Sequence, residues 1–214
     1  MTTPTPVIGD DGLMFQHGMY WPVNCRSFWY SQTANDMDKA LPFVKGRSVV
    51  VQAGGNVGAW PKWLASRFDH VYTFEPEPSN FRALCRNVPE SNVYRAQGAL
   101  GNSYGTIAMD IDPVNIGGHS VSSTVGHIPT YRVDDLKLSA CDLIVLDVEG
   151  FEYHVLMGSI NTILMFHPVI MLEFKGHADR YGGQDLVAYF MEKYHYNPVA
   201  VVKDDRIYAY LGGV

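Results

Sequence analysis

The stretch VVVQAGGNVG, residues 49–58, limits the possible folds of this chain more than any other. The apolar run from Ser48 to Val51 reads as a buried strand, because short β-branched runs bounded by turn residues suit a sheet covered on both faces. Glycines at 54, 55 and 58 follow at once, letting the backbone turn sharply and a ligand approach it closely. Helical character resumes with AWPKWLASRF, and Pro61 is tolerated only in a first turn, so that helix should begin near Gly58 or Ala59. Strand, glycine turn and helix together open an α/β unit whose helix N-terminus offers unpaired N–H groups. The spacing is not GxGxxG, since Asn56 stands where the second glycine would be, which argues against pyrophosphate-bound NAD or FAD.

The unit repeats. VYTFE from Val71 predicts a second strand, EPSNFRALCRNV a second helix, and VYRAQGAL a third strand, so the sheet should be parallel. Between Gly101 and Thr130 the pattern changes to an expected insertion, with GTIAMDID and HSVSSTV as short exposed strands. CDLIVLDVEG and PVIMLEF predict further buried strands, with YHVLMGSINTIL as a helix between them. A helix over Gln184 to Tyr194 and an antiparallel hairpin turning at Lys203 to Asp205 complete the pattern. Upstream, residues 1–12 read as a loose tail, the following aromatic-rich stretch as a cover, and Asn35 to Val44 as a lead-in helix. One domain is expected overall, with residues 1–45 as tail and cover and residues 46–214 as the cofactor-binding core.

Composition excludes several alternatives. A net charge of -6 argues against a protein built to grip nucleic-acid backbone. Cys25, Cys85 and Cys141 are odd in number and lack CxxC spacing, so neither a disulfide framework nor a zinc site is suggested and no metal is expected. No stretch approaches the roughly 20 apolar residues that span a bilayer, and the expectation is a cytoplasmic protein without membrane partners.

Glu75 ends the second predicted strand, where an acid in a doubly wound sheet can accept both ribose hydroxyls of an adenosyl group, and Pro76 fixes the turn after it. Asp147 and Glu149 in LDVEG project from the carboxyl end of another buried strand, where a carboxylate could take the proton of a hydroxyl nucleophile, or alternatively cap the next helix. Glu152 reads as a solvated or capping acid. His119, after NIGG, is a candidate base or substrate contact, with an idle loop histidine the alternative, and His177 is similar. Phe15, Tyr20, Trp21, Phe28, Trp29 and Tyr30 could roof an acceptor pocket or simply pack the cover onto the sheet.

In order, VVVQAGGNVG, FEPEPSNFRALCRNV, Ala99 to Gly101, VDDL at Val133, LIVLDVEGFEYHVLMGS and PVIMLEF resemble the landmarks of FkbM-type methyltransferases. The resemblance implies a class I methyltransferase Rossmann-like sheet, mostly parallel with a reversed final strand, and transfer of a methyl from S-adenosylmethionine, commonly to a hydroxyl oxygen of a small molecule or glycan. By position it implies that Gln52, Gly54, Asn56 and Gly58 serve the methionine end, Glu75 and Pro76 the ribose, and Ala99 and Leu100 the adenine, with Asp147 and Glu149 facing the reacting centre. Gln52 stands where the family usually has an acid, and Val145 where its pattern has a lysine. Two other readings stay open: a nucleic-acid 2′-O-methyltransferase using Asp147 and Lys175, and a cofactor-binding module without catalysis.

Overall fold

A computed structural model describes residues 7–23, 25, 34–112, 115–174 and 183–212. Its centre is built from the most β-branched runs, whose stiff side chains pack well on a pleated surface. β4 (Val49–Ala53) and β10 (Leu143–Leu146) are buried at every position, and β11 (Val169–Glu173) at all but its last. With β5 (His70–Glu75), β6 (Val93–Gln97), β12 (Tyr196–Val202) and β13 (Asp205–Tyr210) they form a seven-stranded sheet in the order β12-β13-β11-β10-β4-β5-β6. Pairing is parallel from β6 through β11, while β13 runs antiparallel to both β11 and β12. This is the α/β class I methyltransferase sheet with its reversed final strand.

Alternation along the strands sends successive side chains to opposite faces. Val51, Ala53, Ile144 and Leu146 face a core shared with α3 (Glu152–Met157), α4 (Ile160–Phe166) and α5 (Gly183–Lys193). Val50, Leu143 and Val145 face the other core, with α1 (Ala59–Ala65) and residues 37–44. Before the sheet, β1 (Val7–Ile8), β2 (Leu13–Gln16) and β3 (Met19–Pro22) form an antiparallel meander. It docks on α2 (Pro78–Asn87), where the Asn87 amide bonds both polar groups of the Tyr20 backbone.

Several local expectations need correction. Val7 and Ile8 pair with β2 rather than trailing as a tail. The lead-in segment forms two 3-10 turns, Ala34–Lys39 and Leu41–Phe43, because Pro42 cannot donate within a continuous helix. The third predicted strand breaks at Gly98, with φ +154°, so that β7 (Ala99–Leu100) leaves the main sheet and joins a second one. That second sheet contains β8 (Gly105–Asp110) and the 12-residue β9 (Ser120–Tyr131), and it is not an exposed appendage, since Ile107 and Val121 are buried. The helix expected over 153–164 is split at Gly158, where a Cβ would lie 1.9 Å from the Gly101 carbonyl oxygen. Asp134, from VDDL, then starts α4 by accepting from the N–H groups of Asn161 and Thr162 and from the Thr162 hydroxyl. Among the described residues, no helix is long and apolar enough to cross a membrane.

Candidate active site

Strand order reverses between β4 and β10, so the carboxyl ends of these two strands open a crevice of the kind that takes ligands in α/β sheets. The crevice is narrow at its base. Asp147 N–H donates to the Ala53 carbonyl at 3.1 Å. Gly54, with φ +85°, brings its Cα so close that a Cβ would fall 1.9 Å from the Asp147 carbonyl oxygen. Only glycine fits there. Beneath it, Gln52 is fully buried; its Nε2 donates to the Ala53 and Gly54 carbonyls, and its Oε1 accepts the Thr73 hydroxyl.

Asn56 follows with φ +46°, a conformation asparagine tolerates better than most residues. Its N–H donates to Glu75 Oε2 at 2.7 Å, and its Nδ2 donates to the Ile116 carbonyl at 3.0 Å. Glu75 Oε1 accepts from the Glu77 N–H at 2.8 Å, so both carboxylate oxygens are pinned by backbone donors. Burial pushes the Glu75 carboxyl up to about 7, against the lowering influence of these two N–H groups. Glu77 in turn caps α2 through the Asn80 N–H.

These residues border a cavity of about 600 Å³, counted to its open mouth. Of the residues singled out from sequence, Gly54, Asn56, Glu75, Pro76, Ala99, Leu100, His119, Asp147 and Glu149 line it together; Gln52 and Gly58 do not. Gly58 caps α1 and is packed against α2, where a Cβ would meet Val88 at 2.5 Å. Trp21 and Tyr20 belong to the core around the meander rather than to the cavity lining, and Phe15 stacks edge-on against Tyr20. Phe28, Trp29, Tyr30, Lys175 and His177 lie outside the described residues.

At the end of β10 the cavity meets a cluster of carboxylates. Asp147, Glu149 and Glu173 each bring one carboxylate oxygen within 4.8 Å of the others, a spacing that could hold a cation. Glu152 is buried rather than solvated; its Oε1 accepts from the N–H groups of Val148 and Gly150, each at 3.3 Å, and so braces the turn presenting Asp147 and Glu149. Burial pushes its carboxyl up as well. His119 Nδ1 accepts the Asp112 N–H at 3.0 Å, and burial lowers its pKa against the pull of Glu77 and Asp112. The neutral ring therefore keeps its proton on Nε2, which makes His119 a hydrogen-bond donor rather than a base in this arrangement.

Sequence reasoning passed over Asn80, Ile116, Phe151 and Glu173, of which all but Glu173 line the cavity. Glu173 had a usable signal, since it ends a buried strand at the same edge of the sheet as Asp147. Ile116 had none, because its part is played by a backbone carbonyl.

The profile of the Methyltransferase FkbM domain matches residues 52–198. No curated protein matches the chain. Among solved structures, the chain is similar to an FkbM methyltransferase from Methylobacillus flagellatus KT, at 16% identity and a TM-score of 0.52 over 86% of this chain and 56% of that one. It is also similar to Trm5b from Pyrococcus abyssi, at 12% identity and a TM-score of 0.51 over 92% of this chain and 53% of that one. A precorrin 8W decarboxylase from Methanobacterium thermoautotrophicum has 14% identity and a TM-score of 0.51, over 97% of this chain and 100% of that one. The chain thus spans little more than half the length of the first two.

Proposed function

Since the chain belongs to the FkbM methyltransferase family, we propose that it transfers a methyl group from S-adenosylmethionine to a hydroxyl oxygen of a small molecule or glycan. The observation that carries this reading is the buried Glu75 carboxylate, pinned at the end of β5 and facing the same cavity as Asp147 and Glu149. The residues fit the cofactor. Glu75 keeps a lone pair for a ribose hydroxyl, Ala99, Leu100 and Phe151 offer an apolar slot for a base, and Gly54 clears the backbone for the amino-acid end.

Bound there, S-adenosylmethionine supplies a sulfonium whose S–C bond breaks as the new O–C bond forms. Asp147 accepts the hydroxyl proton that the acceptor must lose, with the Glu149 and Glu173 carboxylates beside it. His119 donates to the acceptor and orients it, while Glu152 keeps the turn from shifting. Gln52 acts one layer below, fixing the Gly54 carbonyl. Rate gain comes mainly from positioning the two partners. In this reading residues 46–214 hold the transfer machinery, residues before them cover it, and the protein works in the cytoplasm. Methyl-labelled cofactor incubated with the protein and fractionated host extract tests the proposal: label entering glycan or small molecules supports it, and label entering only nucleic acid or protein overturns it.

A further inference from the structure

Asn80 lies in the first turn of α2 and is 1% exposed. Its Nδ2 donates to the Ile116 carbonyl at 2.9 Å, and its side chain also hydrogen-bonds the Glu75 carboxylate. A carbonyl and a carboxylate can only accept, so both hold the NH2 end of the amide and fix which way it faces. Asn80 Oδ1 is thereby turned away from them, and it has no hydrogen-bond partner among the described residues. Asn80 borders the same cavity as Glu75 and Pro76.

Native proteins rarely leave a buried acceptor without a donor, and at the edge of a ligand cavity that donor can come from water or from the ligand. The neighbouring acceptor is already defined. Glu75 holds two backbone N–H groups and the Asn80 amide, which leaves one of its four lone-pair sites for a ligand donor. Two adjacent acceptors suit a vicinal diol, which carries one O–H on each of two neighbouring carbons.

We propose that Asn80 is a second ribose-recognition residue, its Oδ1 accepting one ribose hydroxyl of the adenosyl cofactor while Glu75 accepts the other. The inference rests on the cofactor reading above. It implies that the site rejects an adenosyl ligand in which the hydroxyl facing Asn80 is removed or esterified, because an acceptor is then left facing an acceptor or nothing.

Calorimetric titration of the full chain with S-adenosylhomocysteine and with its 2′-deoxy and 3′-deoxy forms tests this. Asn80→Ala should bind S-adenosylhomocysteine about tenfold more weakly than the unsubstituted protein. Against the deoxy form lacking the hydroxyl that Asn80 holds, the same substitution should cost less than about twofold, while the loss persists with the other deoxy form. Equal losses on all three ligands would overturn the inference and leave Asn80 as a tie for Ile116. If the unsubstituted protein failed to bind S-adenosylhomocysteine at all, the cofactor reading itself would fall, a result distinct from binding without coupling. Should thermal unfolding show Asn80→Ala misfolded, Asn80→Ser carries the same cycle.

Discussion

Gln52 and Val145 lie in register across the parallel pair β4 and β10, and both are fully buried. Registered partners in parallel strands project to the same side of the sheet, so they are neighbours there. They are also the positions where the resemblance read from the sequence implies an acid and a lysine. Both side chains are uncharged, so this buried pair carries no unpaired charge.

Restoring only the acid should fail. In Gln52→Asp a buried carboxylate would face the Gly54 carbonyl without a cation, and the expected cost is about 3 kcal/mol of stability. Adding Val145→Lys should recover part of that loss. Chemical denaturation of the two variants measures it, and a single variant as stable as the parent would show that the site tolerates the charge.

Glu75 links stability to pH. An unfolded glutamate titrates near 4.5, whereas in the folded protein Glu75 holds its proton to about 7. Between these values the folded state binds more protons than the unfolded state, so stability falls as pH rises through this window and is level above it. The full effect is about 3 kcal/mol. Glu152, raised, and His119 and His154, lowered, also act in the acidic range, so the readout is the difference between the parent and Glu75→Gln. Melting temperatures from pH 4.5 to 8 should show a fall in the parent that is reduced in Glu75→Gln, and parallel curves would contradict it. Affinity for S-adenosylhomocysteine should strengthen as pH rises through about 7, where the carboxylate becomes a full acceptor.

Asp147→Asn should separate chemistry from binding. Turnover on an identified acceptor should fall by about 10²- to 10⁴-fold, with affinity for S-adenosylhomocysteine nearly unchanged. Glu149→Gln and Glu173→Gln should cost less, since neither takes the acceptor's proton. Turnover near that of the parent in Asp147→Asn would assign the base elsewhere.

Gly54→Ala should be damaging for two reasons that can be measured apart. Gly12 also has positive φ, +73°, but a Cβ there meets nothing within 4 Å, whereas at Gly54 it meets Asp147. Gly12→Ala should cost about 1 kcal/mol from backbone strain alone. Gly54→Ala should cost clearly more and should also abolish cofactor binding. Similar melting temperatures for the two would mean that the crevice can widen.

How much could be read from sequence follows from where each signal resides. Gly54 and Glu75 were legible because strand, turn and helix carry local signatures, and the end of a strand is where a sheet presents its ligands. The hairpin at Lys203 was legible for the same reason. Gly158 was not, because what excludes a side chain there is the Gly101 carbonyl, 57 residues away in the chain and brought there only by packing. Gly98 hid inside an apolar run whose continuation, Ala99 and Leu100, looks like strand and is strand, but in another sheet. Asn80 sits in a helix whose pattern says nothing of an amide held by the Ile116 carbonyl.

The second sheet begins where Gly98 turns the chain out of the first, so the cavity has two walls of separate origin. One comes from the turns after β4, β5 and β10; the other, with Met109, Ile116, His119 and Val121, comes from the β8–β9 hairpin and its connection. The Ile116 carbonyl, which takes the Asn56 and Asn80 amides, ties that wall to the turn after β4 and to α2. Side chains of the excursion between Gly105 and Tyr131 can therefore vary on the cavity side while a backbone carbonyl, which any residue supplies, keeps the two walls joined.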